Sequence, residues 1–113
     1  MKNNKELAYL FGFSPWQGTQ LENLFELINI QIEENNKISV VLIHDGVIGT
    51  SKKAKTPAIL SKMIELPIKI LAMIPDLKAR GISPQDIQDK IRCIDYEDLV
   101  DILVQNTSII SWM

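Results

Sequence analysis

The single cysteine of the chain, Cys93, is the first candidate for chemistry, because thiolates are strong nucleophiles. It lies in the segment KIRCIDYEDLV, just before an acidic stretch that resembles a helix start. A reactive thiol needs exposure and a positive neighbour that lowers its pKa. Arg92 is adjacent, but strand alternation directs its side chain to the opposite face, and Asp95 and Glu97 would raise the pKa. Free cysteine is often fully buried, so we interpret Cys93 as a packing residue, with a reactive thiol as the alternative.

His44, Asp45 and Gly46 form a second candidate, because an adjacent histidine and aspartate resemble an acid-base pair. Neighbouring side chains usually point in different directions, and no serine or cysteine is placed by sequence for His44 to activate. Asp45-Gly46 is typical of a turn, since aspartate bonds backbone amides and glycine accepts positive φ. A phosphate loop would need a richer pattern than Gly46-x-x-Gly49. We predict a turn at a strand end, with a small-ligand sensor site as an alternative.

Charge and composition narrow the classes of function. A chain of 113 residues with 46% hydrophobic and 23% charged residues fits one domain. The net charge of −2 gives no broad cationic field, so we expect no direct nucleic-acid binding. Lys52, Lys53 and Lys55 form the only dense positive cluster, which would dock an acidic carrier or touch RNA, although loop lysines are usually just solvated.

Hydropathy and the cysteine count argue against a membrane span, secretion and a cysteine-bound metal. No stretch reaches the roughly 18 apolar residues that span a bilayer, and the N-terminus lacks a secretory cleavage pattern. One cysteine cannot form an intrachain disulfide, a thiolate metal cage or a CxxC redox motif. We therefore expect a cytoplasmic protein without a metal or cofactor.

Hydrophobic runs predict five strands, near residues 6–13, 38–43, 67–74, 91–94 and 108–113. The run Val40-Val41-Leu42-Ile43 lacks polar alternation, which is typical of a parallel strand covered by helices on both faces. Pro67 would stand at the first position of strand three, where a missing donor is tolerated.

Capping signals predict four helices between these strands. The first begins with a capping box of Thr19 and Glu22 and ends near Glu34. The second begins at Thr56-Pro57 and ends near Leu66. Pro75 and Gly81 bound a short third helix, and Asp95 caps the last, whose buried stripe would be Leu99, Val100, Ile102 and Leu103.

The order βαβαβαβαβ predicts a single three-layer α/β domain, with a mostly parallel five-stranded sheet and helices on both faces. Ligands of such sheets lie beyond the carboxyl ends of the strands. Those ends carry Ser14, His44-Asp45-Gly46, Pro75-Asp76 and Asp95-Tyr96. Trp16 and Trp112 lie near the chain ends, where each would anchor an interface or cover the core edge.

Several segments together resemble the DsrH/TusB family of the DsrEFH superfamily of sulfur-relay proteins. They are FSPW, VLIHDGV, PIKILAMIPDLKARGI, IDYEDLVDIL and a near-terminal SW, and they follow in order over nearly the whole chain. The most specific part is the pair of DLKARG (residues 76–81) and IDY (residues 94–96).

This resemblance implies a DsrEFH-like α/β subunit that assembles with DsrE/TusD-like and DsrF/TusC-like subunits, and with a TusA-like sulfur carrier. Such assemblies pass persulfide sulfur toward tRNA 2-thiouridine or serve sulfur oxidation. In the family, the main relay cysteine belongs to the DsrE/TusD-like subunit. Some DsrH members have a cysteine in the first helix, where this chain has Leu24.

Two positions depart from the family pattern. Relatives carry an aliphatic residue at Cys93, and a His-Thr pair where strand one reads Ala8-Tyr9-Leu10-Phe11. The leading interpretation is therefore a non-catalytic partner subunit, as a homo- or hetero-oligomer, and the alternative is direct persulfide transfer through Cys93. The candidate binding or interface residues are His44, Asp45, Gly46, Asp76, Arg80, Tyr96 and Trp112.

Overall fold

Five strands and four helices alternate along the computed structural model, which describes residues 5–106 and 108–112. The strands are β1 (Glu6–Phe11), β2 (Lys37–Leu42), β3 (Lys69–Met73), β4 (Ile91–Ile94) and β5 (Ser108–Trp112). The helices are α1 (Gln20–Glu33), α2 (Ala58–Ile64), α3 (Ile74–Ala79) and α4 (Tyr96–Gln105). Short 3-10 turns occupy His44–Val47 and Pro84–Asp86. Met113, predicted in the last strand, lies outside the described residues.

The strands form one sheet in the order β4-β3-β2-β1-β5, and every neighbouring pair is parallel. Val40, Val41 and Leu42 of β2 are at most 1% exposed, as the unbroken apolar run predicted. The chain builds outward from β1 to β4 and then returns to the other side of β1. A right-handed connection to β5 must therefore cross the opposite face from the earlier connections.

The core has one layer on each face of the sheet. On one face, α1 and α2 insert Leu21, Leu24, Ile28, Leu60 and Met63 against side chains of β1, β2 and β3. On the other face, α4 packs Leu99 and Ile102 against Val41, Leu71, Met73 and Ile94. The predicted three-layer α/β architecture is confirmed.

The first helix begins differently from the predicted capping box. Thr19 is the N-cap of α1, but its side chain accepts no hydrogen bond from a helix amide. Its φ of −114° and ψ of 13° lie outside the extended region that directs a cap hydroxyl toward those amides. The Thr19 hydroxyl instead accepts a long bond of 3.5 Å from the Asn23 amide nitrogen. The predicted box of Thr19 and Glu22 is therefore wrong.

The other predicted boundaries agree within one or two residues. Pro57 is the N-cap of α2, one position later than predicted, and Thr56 instead accepts a hydrogen bond from Gln88 Nε2 at 3.0 Å. Strand β3 begins at Lys69, so Pro67 lies outside it. Gly81 follows α3 with a positive φ of 69°, as predicted for a glycine that closes a helix.

The last helix has the predicted cap but a different buried side. Asp95 Oδ1 accepts from the Asp98 amide at 2.9 Å, and Asp98 Oδ2 accepts from the Asp95 amide at 3.3 Å. Among the described side chains of α4, none is fully buried, and Val100 is 57% exposed. Val100 therefore lies outside the buried stripe in which the sequence placed it, because α4 is the one helix on its face of the sheet within the described residues and its flanks are open.

Candidate functional site

Four predicted residues meet at the carboxyl ends of β2 and β3, and we call His44, Asp45, Asp76 and Arg80 the strand-end cluster. Arg80 donates from Nε and Nη2 to Asp45 Oδ1, at 3.1 and 2.9 Å. Its Nη1 donates to the Asp76 carbonyl oxygen at 3.2 Å and lies 3.8 Å from Asp76 Oδ1. His44 Nδ1 is 4.0 Å from the same carboxylate oxygen. The topology therefore joins Asp45 to a residue 35 positions later in the sequence.

Gly46 is required here for space and not for positive φ. It lies in the 3-10 turn that begins at His44, and a Cβ on it would clash with the Phe11 carbonyl oxygen and lie 3.1 Å from the carbonyl carbon. The residue with positive φ is His44, at 49°. The predicted turn is present, but the reason given for its glycine is wrong, because the close approach of the β1 backbone decides it.

The contacts of the strand-end cluster hold the His44–Val47 turn against α3. They do not form an acid-base pair of His44 and Asp45. Asp45 directs its carboxylate to Arg80, so it does not orient the imidazole of His44. A guanidinium that binds a carboxylate and a carbonyl at once fixes their relative positions. The His44 side chain is 64% exposed. Within the described part of the chain, the contacts of this cluster include no serine, threonine or cysteine that His44 could activate.

Cys93 lies away from this cluster, on the edge strand β4. Its side chain is partly buried against the α1 and α2 side of the core, and its Sγ lies 3.8 Å from the Pro84 carbonyl oxygen, to which the thiol donates. Burial raises the pKa of the Cys93 thiol, because the charged thiolate loses hydration there. This environment disfavours the thiolate. The sequence predicted a mostly covered strand, but β4 is covered only in part, because Arg92 is exposed on its other face.

The sequence interpretation named Tyr96 as a candidate interface residue but missed that Val100 and Val104 extend it into an exposed apolar row on α4. Tyr96, Val100 and Val104 are 63, 57 and 79% exposed, and we call them the α4 stripe. Their i, i+4, i+8 spacing places them along one side of the helix, about 60 to 140° from the core-facing Leu99 and about 120 to 160° from Ile102. The sequence signal for this row is the repeat of apolar residues every four positions, beside the separate stripe that faces the core.

The stripe continues toward the β5 edge of the sheet. Asp98 and Asp101 of α4 line a groove with β2, β3 and β4, so the opposite side of the helix faces β1 and β5. There Ile109 is 44% exposed, on a strand whose five residues carry no charge. Several exposed apolar residues on one face of a molecule are typical of protein-protein contact.

The reversal of strand order lies between β1 and β5, and ligands of open parallel sheets often bind at such a point. Trp112 closes this position. Its ring is half-buried and meets Phe11 edge-to-face at 6.4 Å, and its carbonyl accepts from the Gly12 amide at 2.8 Å. Trp16 is 50% exposed in the turn after β1. The strand-end cluster at β2 and β3 is thus separate from the switch point.

A second cavity opens at the amino ends of β1 and β5, with a volume of about 620 Å³. Its floor includes Tyr9, which is 1% exposed and whose phenol pKa is raised by burial. Leu27 and Ile110 form its apolar walls. Both faces beside β5 are therefore incompletely covered.

The described residues, 5–106 and 108–112, contain neither a candidate membrane span nor a candidate metal site. No helix in that part of the chain is long and apolar enough to cross a membrane. The same residues contain no group of three His, Cys, Asp or Glu side chains that could hold a metal ion.

Known proteins share both the sequence pattern and the fold. Residues 13–109 match the family model described as DsrH like protein. Protein TusB of Enterobacter sp. strain 638 is 28% identical over 106 residues, which covers 94% of this chain and 100% of the relative. Protein TusB of Escherichia fergusonii is 32% identical over 99 residues, which covers 88% of this chain and 93% of the relative.

Solved structures extend the comparison to the fold. The ychN protein from E. coli superposes with a TM-score of 0.79 at 16% identity, over 96% of this chain and 99% of that one. MTH1491 from Methanobacterium thermoautotrophicum superposes with a TM-score of 0.73 at 14% identity, with the same two coverages. At these identities the structures show the shared fold alone, whereas the family model and the TusB relatives show that this chain belongs to the DsrH/TusB family.

Proposed function

We propose that this chain is a non-catalytic partner subunit of a sulfur-relay complex that serves tRNA thiolation or sulfur oxidation. Its partners would be DsrE/TusD-like and DsrF/TusC-like subunits, with a TusA-like carrier delivering or receiving sulfur. Membership of the DsrH/TusB family supports a sulfur-relay component. The exposed α4 stripe is the observation that carries the partner role.

The environment of the lone thiol supports a role without covalent chemistry. A persulfide carrier works through a thiolate, which requires access and a lowered pKa. Burial raises the pKa of Cys93, and its thiol donates to a backbone carbonyl. Arg92 is exposed on the other face of β4, away from the thiol.

The α4 stripe supports a docking role, because α4 is the only described helix on its face of the sheet. Three large side chains that are all more than half exposed would lose water on binding a second protein. Tyr96 is also a tyrosine, a residue type that is enriched among the hot-spot residues of protein-protein interfaces. The uncharged β5 edge beside the stripe offers unpaired backbone groups to the same partner.

Affinity capture of the tagged chain from its native cell tests this function. We expect stoichiometric DsrE-like and DsrF-like proteins in the captured material, identified by mass spectrometry. The double variant Val100→Lys, Val104→Lys should capture about tenfold less of them, because lysine cannot be desolvated there without cost.

Ile30→Lys is the matched control. Ile30 is 54% exposed on α1, which covers the other face of the sheet, so its replacement should leave capture unchanged. Far-ultraviolet circular dichroism would check that all variants fold. The proposal fails if wild type captures no DsrE-like, DsrF-like or sulfur-carrier protein.

A further inference from the structure

The dense lysine cluster of the sequence is largely neutralised in the fold. Lys52 Nζ lies 2.6 Å from Asp89 Oδ1, and Lys53 Nζ lies 3.4 Å from Asp86 Oδ2. These pairs bring the loop against the segment before β4. The loop therefore offers less free positive charge than its sequence implies.

A different set of cations gathers on the α4 face of the sheet. Lys37, Lys69 and Arg92 come from β2, β3 and β4, and all three are exposed. They line one open groove of about 560 Å³ between these strands and α4. None of the three forms an ion pair within 4.0 Å with a carboxylate of the described chain.

Strand register sets the spacing of these cations. Lys69 is level with Ser39, two residues beyond Lys37, and Arg92 is level with Leu71, two residues beyond Lys69. With strands about 4.8 Å apart and a rise of about 3.3 Å per residue, the three Cα atoms lie on a diagonal with steps of about 8 Å. Alternate side chains of an extended segment repeat at a comparable distance, about 6.6 Å.

The opposite wall of the groove determines which anion fits. Asp98 and Asp101 line the groove on α4 and Glu6 lines it on β1 beside Lys37, and these carboxylates would repel a continuous polyanion such as an RNA backbone. A polypeptide can instead place carboxylates toward the cations while its amide or basic groups face the aspartates. The groove therefore favours a protein segment with acidic side chains at alternate positions.

We infer that this groove binds an acidic segment of another subunit, aligned along Lys37, Lys69 and Arg92. The inference rests on the proposed function, since it requires a partner protein. It adds a second contact on the side of α4 opposite the α4 stripe, so that α4 would lie between two elements of the assembly. Charge complementarity, and not apolar burial, would select the segment.

Carbodiimide coupling of the captured wild-type complex tests the contact directly, because this reagent joins an amine to a carboxylate that it touches. We expect peptides that link Lys37 or Lys69 to an aspartate or glutamate of a partner. A link from these lysines to this chain's own peptides from a second copy, or links to the partner only at other lysines, would overturn the inference.

Charge reversal supplies the second arm. The variant Lys69→Glu, Arg92→Glu should bind the partner roughly tenfold more weakly and with a smaller dependence on salt. Lys55→Glu, an exposed loop cation outside the groove, is the control and should bind as wild type does. Partner capture that is unchanged by the double reversal would overturn the groove assignment and leave the proposed function standing.

Nuclease treatment distinguishes the RNA alternative. Capture through the groove should survive digestion of RNA, and capture lost on digestion would overturn the assignment to a protein segment. A wild-type chain that captures no partner would instead refute the proposed function, so the two failures are distinguishable.

Discussion

The backbone of β1 decides which residue the turn after β2 can hold at position 46. Gly46 lies in that turn, and a Cβ there would clash with the Phe11 carbonyl oxygen. The reason for Gly46 could not be predicted, because it lies in the backbone of Phe11, thirty-five positions earlier and on another strand. Likewise, the alternation of Arg92 and Cys93 onto different faces was readable, but the partial exposure of β4 follows from its place at the sheet edge.

Replacement of Gly46 by alanine tests the close approach. The added methyl would collide with the Phe11 carbonyl, which also accepts the Ile43 amide at 3.0 Å, so relief of the clash would disturb the pairing of β1 with β2. We expect Gly46→Ala to lower the free energy of unfolding by roughly 3 kcal/mol in a denaturant titration.

Gly18→Ala is the comparison for that experiment. Gly18 has a φ of 67°, and a methyl group at its Cα would meet no atom within 4 Å, so only the backbone strain of about 1 kcal/mol should be measured. Equal losses in the two variants would show that conformation, and not space, decides position 46.

Secondary-structure elements were predicted well where the signal is local. The cap at Asp95, the glycine after α3 and the apolar run of β2 all act within a few residues, and all three are confirmed. The capping box at Thr19 fails because its backbone angles depend on the turn that enters α1. The assignment of Val100 to the core fails because no second helix of the described chain packs beside α4 to cover that side of it.

The cap of α4 predicts a dependence of stability on pH. The Asp98 amide donates to the Asp95 carboxylate and lowers its pKa, as does the Asp98 side chain to a smaller degree. A carboxyl group with a depressed folded-state pKa stabilises the fold above its unfolded value of about 3.9, and this contribution is lost as pH falls through the folded value.

Asp95→Ala should therefore lower the melting temperature at pH 7, and the difference from wild type should shrink in acid. Melting curves from pH 7 to pH 3 measure both effects. Glu97→Ala, in the same first turn but not the N-cap, is the control and should change the melting temperature less. A difference that stays constant down to pH 3 would contradict this account of the cap.

At the scale of the whole molecule, the alternation of strands and helices was enough to predict the layers but not the strand order. The order β4-β3-β2-β1-β5 and the core contacts make α4 the one described helix on its face, with the α4 stripe on one side and the groove of Lys37, Lys69 and Arg92 on the other. The diagonal of Lys37, Lys69 and Arg92 depends on register between three strands, which no local pattern specifies. The dense lysine loop was visible in sequence, whereas its neutralisation by Asp86 and Asp89 was not.

Sulfur loading tests the central claim, that this chain takes part in sulfur transfer by contact and not through its own thiol. The captured complex would be exposed to a persulfide donor, and each subunit weighed by mass spectrometry under non-reducing conditions. The account predicts that a partner gains one sulfur atom while this chain keeps its mass, both as wild type and as Cys93→Ser. A gain of sulfur on the wild-type chain that disappears in Cys93→Ser would contradict it.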